Sequence, residues 1–364
     1  MIALHDITAC RFPGAHAFFR PYGKRSFPRY AKLFRELGGE QCGVNLLSGH
    51  ILSTNLTELV EQEKIYGDFV YNFRYLREDE MQQFADQGED KRVYAIHYTA
   101  YTTEGGKYVP WMKRQLLNKG VRFVQRQINT VRDLFPDFDV IVNCAGLNGG
   151  KVAGDGDDKN MFPIRGIIFE VNATWHNHFL YKGFETFTIP TTDKVFIGSV
   201  KQAGRYDLAI KPSDRADILG RYYRLQPAIR NSAILSEWSG LRPGRKGGVR
   251  LEMTTFRYPA PSARYSVPSS ESEAQERIIT NSAILSEWSG LRPGRKGGVR
   301  LEMTTFRYPA PSARYSVPSS ESAAQERIIT VVHNYGHGGH GLTLSWGCAE
   351  TVADFVVGKS TEPA

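Results

Sequence analysis

A glycine-rich run near the carboxyl end of the sequence could bind an anionic group. Gly336-His337-Gly338-Gly339-His340-Gly341 matches the spacing G-x-G-x-x-G, follows an apolar segment and precedes a helical one. Glycine allows close approach of the backbone, and the start of a helix presents free N–H groups to an anion or an electron-rich carbonyl. Because only 23 residues follow the run, there is no room for a further strand and a ribose-binding acid, and we do not interpret it as a dinucleotide fingerprint. A tight strand-to-helix turn is the alternative interpretation.

A second apolar segment runs into small residues in the same way. Residues 140–143 are followed by the turn Cys144-Ala145-Gly146-Leu147. A buried strand that ends in an ordinary turn would have the same pattern. Two such turns in one chain favour a single extended cofactor that contacts both of them.

The carboxyl-terminal run also brings His333, His337 and His340 close together in sequence. A metal site needs side chains that converge on one point, whereas a glycine-rich strand end more often only exposes its histidines. We therefore predict no metal site.

The spacing of apolar residues predicts the elements that position these turns. Helical spacing is found over residues 26–37, 57–63, 78–84, 107–118, 215–225 and 342–357. Strand patterns are found over residues 1–5, 44–51, 121–127, 140–143, 164–171, 195–200, 247–253, 277–280 and 328–334. Helices and strands interleave without strict alternation, which predicts a mixed α/β or α+β fold.

Length and composition are those of a folded protein. The sequence has 364 residues, of which 41% are hydrophobic and 23% charged, and its net charge is +8. No apolar run reaches the roughly 18 residues of a membrane helix, and the cysteines form no C-x-x-C pair, so we expect an intracellular chain with reduced thiols and no membrane partner. The basic charge alone would allow nucleic-acid binding, but the interleaved aromatics of such proteins are lacking, and we predict no nucleic-acid partner.

One segment of the sequence occurs twice. Residues 231–280 and 281–330 differ only at Glu273 and Ala323. Natural repeat arrays diverge to fit their neighbours, so we interpret the pair as a tandem duplication, or an error in the gene sequence, and not as a solenoid. The second copy carries seven basic and four acidic residues, so part of the positive charge is duplicated as well.

Motifs along nearly the whole chain resemble those of the flavin-dependent D-amino-acid oxidases. In order, they are Ser48-Gly49-His50, residues 139–147, residues 162–166, Gly240-Leu241-Arg242-Pro243-Gly244-Arg245 with its repeat at 290–295, and residues 333–339. The resemblance implies a Rossmann-like FAD-binding domain built from discontinuous segments, plus a mixed-sheet substrate domain of α+β type. It assigns residues 1–45, 121–165 and 331–358 to the first domain and residues 46–120 and 166–330 to the second.

The resemblance also implies the contacts with FAD. Asp6 takes the position of the acid that binds the ribose, and Ile128 takes that of a backbone contact to adenine. The other implied contacts lie in the two turns: Cys144, Ala145, Gly146, Leu147, Gly338, Gly339, His340, Gly341, Leu342 and Thr343. Backbone N–H groups of the second turn would bind a flavin carbonyl, where negative charge grows on reduction.

The implied reaction is oxidative deamination of acidic D-amino acids, D-aspartate first and D-glutamate second, to the 2-oxo acid with ammonia and hydrogen peroxide. Arg242 or Arg292 matches the arginine that clamps the α-carboxylate, and Lys201 matches a basic residue for the second carboxylate. No side chain acts as a general acid or base, because the cofactor supplies the reactive chemistry. Phe187 replaces the usual tyrosine, and Gly339 replaces a serine of some members that act on acidic substrates. Neutral D-amino acids are therefore an alternative substrate class.

The family's first strand, G-x-G-x-x-G turn and helix, about 30 residues that bind the pyrophosphate, have no counterpart in this sequence. We therefore expect the chain to bind FAD weakly or not at all, and a non-catalytic homologue without FAD is a further alternative.

One pocket can use only one Arg-Pro-Gly-Arg turn. We favour Arg292, because its copy leads directly into the C-terminal glycine run, and we expect residues 231–280 to loop out. The predicted partners are a small-molecule substrate and O2, and the sequence does not set an oligomeric state. The family is often peroxisomal, but Glu362-Pro363-Ala364 is not an S-K-L-type address, so the peroxisome and the cytoplasm both stay open.

Overall fold

The structure is a computed structural model of the 364-residue chain, and it describes residues 15–84, 92–183, 185–259, 278–281, 304–307 and 326–358. The predicted strand over residues 1–5, Asp6, Arg292 and most of the second repeat copy lie outside these residues. Within the described ranges, no helix combines the length and the apolar character needed to cross a membrane.

The helices surround two main sheets. They are α1 Ala15–Cys42, α2 Leu56–Tyr66, α3 Glu78–Met81, α4 Gly105–Asn118, α5 Gly149–Ala153, α6 Pro212–Leu225 and α7 Ser345–Val356. α1 starts well before the predicted helix over residues 26–37 and continues past Pro21 and Pro28. It is interrupted at Gly38, whose φ of 70° is not helical.

The strands are numbered in chain order. They are β1 Val44–Ser53, β2 Tyr71–Tyr75, β3 Tyr94–Thr103, β4 Arg122–Gln125, β5 Val140–Asn143, β6 Met161–Val171, β7 Phe179–Lys182, β8 Thr186–Pro190, β9 Val195–Gly198, β10 Gln202–Ala203, β11 Ile234–Arg245, β12 Arg250–Pro259, β13 Ile278–Asn281, β14 Thr304–Arg307 and β15 Glu326–Tyr335.

Among the described residues, nine strands form the larger sheet, in the order β10-β6-β9-β8-β7-β1-β3-β2, with β11 also paired to β6. β1 and β3 are antiparallel from Val44↔Thr103 to Ser53↔Tyr94. β11 is antiparallel to β6 from Ile234↔Val171 to Arg245↔Met161. Aromatic residues of α1 pack on one part of this sheet, and Ile218 and Tyr222 of α6 pack on another, so both regions are buried.

The smaller sheet positions the two glycine-containing turns. Its order is β14-β12-β15-β5. β15 and β5 are parallel from Thr330↔Val140 to His333↔Asn143. The carboxyl ends of neighbouring parallel strands meet at one edge of a sheet. The turns that follow β5 and β15 therefore lie at the same edge.

The first copy of the repeat belongs to both sheets. β11 extends the larger sheet, and β12 is antiparallel to β15 in the smaller one. The expectation that residues 231–280 loop out was therefore wrong for residues 234–259, because backbone pairing with β6 and β15 holds them in place. β14 repeats the sequence of β12 and pairs with it in parallel, from Thr254↔Thr304 to Arg257↔Arg307.

The α/β fold class is confirmed. The predicted strand over residues 140–143 has the observed bounds, and the predicted helices over residues 107–118 and 215–225 are also found. The sequence patterns missed β2, β3, β7, β8, β10, β11 and β14. β12 pairs with β15, although the predicted domain boundaries place it among residues 166–330 of the substrate domain.

Candidate active site

Arg242 on β11 is a buried cation, with only 6% of its surface exposed. Its guanidinium donates hydrogen bonds to the Val200 carbonyl at 3.1 Å and to Ser199 Oγ at 3.0 Å. In the described part of the chain its hydrogen-bond partners are these two groups and the Arg165 carbonyl, and none of them is a carboxylate. Burial lowers the pKa of Arg242 to about 10, so the side chain stays charged at neutral pH. A buried charge that lacks an anionic partner is costly, so this site is suited to bind a carboxylate ligand.

Gly166 on β6 leaves the space that this guanidinium occupies. A Cβ atom built on Gly166 would lie 2.1 Å from Nη2 of Arg242. The Arg242 Nη1 group also contacts the carbonyl of Arg165, the neighbour of Gly166, at 3.3 Å. The backbone of Arg165 and Gly166, two residues of the sequence motif, therefore packs directly against the Arg242 guanidinium.

Two aromatic residues lie beside the arginine site. Tyr181 on β7 is buried, and this desolvation raises the pKa of its phenol. The positive charge of the nearby Arg242 acts in the opposite direction and has the smaller effect. Phe187 on β8 stacks on Tyr181, with ring centroids 5.3 Å apart and an angle of 21° between the planes. A Cβ atom on Gly198 would lie 3.0 Å from the Phe187 ring, so the backbone of β9 packs tightly against it.

Lys201 follows the residue whose carbonyl binds Arg242. It is half-buried and directly precedes β10, which pairs with β6 through Gln202↔Arg165. The nearby Arg205 is occupied by Asp207 at 2.5 Å and by Gln202 at 3.0 Å. Lys201 directly follows Val200 in the chain.

The turn after β15 is bonded directly to the strand that carries Arg242. The backbone N–H of Gly338 donates to the carbonyl of Pro243 at 3.2 Å. Gly336 and Gly338 have φ values of 84° and 54°, which favour glycine. Tyr30 of α1 donates its hydroxyl hydrogen bond to the carbonyl of Leu342 at 2.5 Å. These bonds fix the turn against both α1 and β11.

Within this turn, Thr343 is buried, and its hydroxyl has no hydrogen-bond partner in the described part of the chain. A buried polar group without a partner is costly, so a ligand atom that bonded to this hydroxyl would relieve that cost. His340 is also buried and lies against the Phe19 ring, with centroids 4.6 Å apart. Gly339, Gly341 and Leu342 are half-buried.

The turn after β5 is linked to the end of β15. The amide nitrogen of Asn143 lies 3.2 Å from Nδ1 of His333 and donates to the Gly149 carbonyl at 2.9 Å. The Ala145 backbone N–H donates to Asn143 Oδ1 at 3.2 Å. Burial lowers the pKa of His333 to about 3, so its ring is neutral in this network.

The structure thus brings the two predicted turns together and places Arg242 beside one of them. At the shared edge Cys144 is exposed, whereas Ala145, Gly146 and Leu147 are half-buried. Ile128 packs partly buried against the core of the smaller sheet. The FAD contacts assigned to these residues stay predictions. Asp6 and Arg292 lie outside the described residues.

Sequence reasoning missed the residues that hold the arginine. Ser199 and Val200 follow β9 and carry no motif, and Tyr181 lies in a strand that the patterns did not predict. Asp157, which contacts both Arg245 and Tyr335, was also missed. In each case the partners are more than 40 residues apart in the chain, so no local spacing could have indicated the contact.

Comparisons with known proteins show the family of this chain. A family model described as "FAD dependent oxidoreductase" matches residues 7–255. "D-aspartate oxidase 1" of Caenorhabditis elegans is 41% identical over 331 residues, which are 91% of this chain and 78% of that protein. "D-aspartate oxidase 2" of Caenorhabditis briggsae is 42% identical over 330 residues, 90% of this chain and 78% of that protein.

Solved structures share the fold. Iminodiacetate oxidase from Chelativorans sp. BNC1 has a TM-score of 0.60 at 14% identity, over 98% of this chain and 85% of that one. Glycine oxidase from Geobacillus kaustophilus has a TM-score of 0.56 at 14% identity, over 93% of this chain and 78% of that one. The family model places the chain among the FAD-dependent oxidoreductases. Within that class, the chain belongs to the family that includes the D-aspartate oxidases.

Proposed function

We propose that this chain oxidises acidic D-amino acids, D-aspartate first and D-glutamate second, with FAD as cofactor and O2 as electron acceptor. The observation that carries the proposal is the buried Arg242 guanidinium, which has no carboxylate partner in the described part of the chain. The names of the Caenorhabditis relatives support D-aspartate as the substrate.

Arg242 orients the substrate through its α-carboxylate. A guanidinium offers two parallel, charge-assisted hydrogen bonds to a carboxylate and so fixes direction as well as position. The Ser199 and Val200 bonds hold the guanidinium in one orientation before the substrate arrives. Because the bonded groups are already in place, little ordering is needed when the carboxylate binds.

The cofactor fits the edge where the two turns meet. The buried Thr343 hydroxyl and the backbone of residues 338–343 would bind the flavin end, and the turn over residues 144–147 would bind farther along the molecule. Bound FAD would supply the redox chemistry, by accepting a hydride from Cα and passing its electrons to O2 to form hydrogen peroxide, and water then converts the imino acid to the 2-oxo acid and ammonia. The chain's own residues bind and orient the substrate.

Lys201 selects for a second carboxylate. It lies beside the Arg242 site along the backbone, and an ammonium group there pairs with the side-chain carboxylate of D-aspartate. A neutral side chain cannot form this second ionic contact, so a dicarboxylate gains binding free energy that a neutral amino acid does not.

The repeat supplies a matched control for the test. Arg242→Met removes the charge from the described site, and Arg292→Met makes the same change in the identical sequence of the second copy. Peroxide release with D-aspartate should fall in kcat/KM by about 100-fold or more in Arg242→Met, because charge-assisted bonds are lost. Arg292→Met should match the unsubstituted chain.

Activity that survives in both single variants and in the double variant would contradict the role of this arginine. Loss only in Arg292→Met would move the site to the second copy. All assays are run with excess FAD, and the absorption band at 350–500 nm reports how much flavin is bound.

Lys201→Met tests the substrate class separately. The KM for D-aspartate should rise by about 10-fold or more, whereas the KM for D-alanine should change little, since only the dicarboxylate loses an ion pair. A parallel rise for both substrates would contradict selection by Lys201, and an unsubstituted chain that prefers D-alanine would favour a neutral substrate class.

A further inference from the structure

Asp157 is a buried carboxylate that binds both strands leading to the active site. Its oxygens accept hydrogen bonds from Arg245 Nε at 2.7 Å and Nη2 at 2.6 Å, from the Tyr335 hydroxyl at 2.6 Å, and from Asn160 Nδ2 at 2.7 Å. Only 6% of the residue surface is exposed. Paired, bidentate contacts of this kind are geometrically specific.

Each of the two main partners of Asp157 stands next to a part of the proposed site. Arg245 ends β11, three residues after Arg242. Tyr335 ends β15 and directly precedes Gly336, the start of the glycine turn. Asp157 therefore connects the strand of the substrate anchor to the strand that leads into the flavin-facing turn.

The surroundings of the Tyr335 hydroxyl fix the direction of its hydrogen bond. Arg250 Nη1 donates to that hydroxyl at 2.9 Å, so the hydroxyl hydrogen is free to point at Asp157. A Cβ atom on Gly149 would lie 2.3 Å from the Tyr335 ring, so the ring packs directly on the backbone of α5. Of the two neighbouring aspartates, Asp157 is buried and Asp158 is exposed.

We infer that Asp157 is a positioning residue that sets the distance between the Arg242 carboxylate anchor and the glycine turn at residues 336–343. The inference rests on the proposed function, because the distance matters only if a substrate held by Arg242 must meet a flavin held by that turn. Hydride transfer needs the reacting atoms about 3–3.5 Å apart, so a small loosening of the frame reduces the rate of the chemical step more than it reduces binding. Asp157 itself touches neither substrate nor cofactor in this assignment.

The test compares Asp157→Asn with the matched control Asp158→Asn. Asn keeps the size of the side chain but removes the charge and one acceptor for Arg245. We expect kcat for D-aspartate to fall by about 10- to 100-fold with a change in KM of less than about 3-fold, whereas Asp158→Asn should leave both unchanged. An equal effect of the two substitutions, or a rise in KM alone, would overturn the inference.

A second measurement does not depend on turnover. Amide hydrogen exchange on the chain without added FAD should become faster at residues 240–245 and 335–340 in Asp157→Asn, since both strands lose their shared anchor. Faster exchange confined to residues 155–161 would show a merely local structural role and would overturn the inference.

If Asp157→Asn fails to fold, Tyr335→Phe tests the same inference. It removes one hydrogen bond and leaves the Arg245 pair intact, so we expect a smaller loss in kcat, about 3- to 10-fold, again with little change in KM. An unchanged kcat in a folded Tyr335→Phe chain would overturn the inference. If the unsubstituted chain with bound flavin releases no peroxide from any D-amino acid, the proposed function fails instead, and the exchange result still decides whether Asp157 couples the strands.

Discussion

Gly166 and Arg242 form a matched pair, because the missing side chain of one leaves the room for the guanidinium of the other. A Cβ atom on Gly166 would lie 2.1 Å from Nη2, 2.2 Å from Cζ and 2.2 Å from Nη1 of Arg242. The atoms in the way belong to the end of a flexible side chain, so a methyl group here would displace the guanidinium and leave the backbone in place. The glycine is therefore tied to ligand binding as well as to folding.

We predict that Gly166→Ala raises the KM for D-aspartate by about 10- to 100-fold, because the guanidinium loses its hydrogen bonds to Ser199 and Val200. Thermal stability should also fall, because the buried guanidinium loses bonds that stabilise the fold. Gly220→Ala on α6 is the matched control, since nothing lies within 4 Å of the added Cβ, and it should leave the KM unchanged and raise helix stability by about 0.5–1 kcal/mol. Steady-state kinetics and thermal melts check both variants, and an unchanged KM in Gly166→Ala would refute the pairing.

Arg165 is buried like Arg242, but it is paired with a carboxylate of the chain itself. It is completely buried, and its guanidinium donates to Gln202 Oε1 at 2.6 Å and to Asp214 Oδ2 at 2.9 Å. Arg165→Met should lower the free energy of unfolding by about 3–5 kcal/mol, because it leaves the Asp214 carboxylate buried without its cation.

The control for this prediction is a more exposed ion pair that follows β10. Arg205 pairs with Asp207 at 2.5 Å near the surface, and Arg205→Met should cost at most about 1 kcal/mol. Urea denaturation of both variants measures the two values. Equal losses would mean that burial does not distinguish the two ion pairs.

Buried histidines give the stability a definite dependence on pH. His176 is 2% exposed, and burial lowers its pKa to about 4, below the value of about 6.5 in an unfolded chain. The unfolded state therefore binds a proton more readily than the folded state between these values. The contribution of His176 to the free energy of unfolding is complete above pH 6.5 and is lost as the pH falls toward 4. This residue should therefore lower the free energy of unfolding by about 1–2 kcal/mol between pH 7 and pH 5.

His176→Phe isolates that contribution. The ring is kept but cannot titrate, so the decrease in unfolding free energy between pH 7 and pH 5 should be smaller than in the unsubstituted chain, whatever the stability of the variant at pH 7. Urea midpoints at the two pH values provide the measurement. An identical decrease in both chains would show that His176 does not bind a proton on unfolding in this range.

The sequence patterns predicted the turns better than the strands around them. The two glycine turns could be placed together because each follows an apolar strand, and parallel neighbours bring their carboxyl ends to one edge. β11 was missed because Gly240, Pro243 and Gly244 are residues that usually interrupt strands. In the described part of the chain β11 pairs only with β6, and an edge strand tolerates proline because one side needs no N–H donor.

β3 was missed for a different reason. Its tyrosines, threonines and isoleucine are typical of strands, but almost all of them are buried, so the strand lacks the alternation of polar and apolar residues that a one-sided strand shows. No local pattern could indicate the partners of Arg242, because Ser199 and Val200 follow β9, and β9 and β11 meet only through their pairing with β6. What sequence alone provided at this site was the type of residue and not its surroundings.

The last prediction concerns the duplicated segment. Removing residues 231–280 or residues 281–330 produces the same shortened sequence, apart from Glu273 in one product and Ala323 in the other. Both products keep one complete set of the strands β11 and β12, and they shorten the connection from β12 to β15 by fifty residues. A shorter connection lowers the entropic cost of closing the loop by about 1 kcal/mol. This gain offsets the loss of two short parallel pairings, that of β13 with β4 and that of β14 with β12.

We therefore expect the single-copy chain to fold with a melting temperature within a few degrees of the full chain and to keep the D-aspartate activity and its dependence on Arg242. Thermal melts, flavin absorption and peroxide release on the two deletion products check this, and the two should agree with each other because they differ at one position only. A single-copy chain that is insoluble or loses flavin would contradict the expectation. It would show that the second copy stabilises the sheet through β14, which pairs with β12 at matching positions.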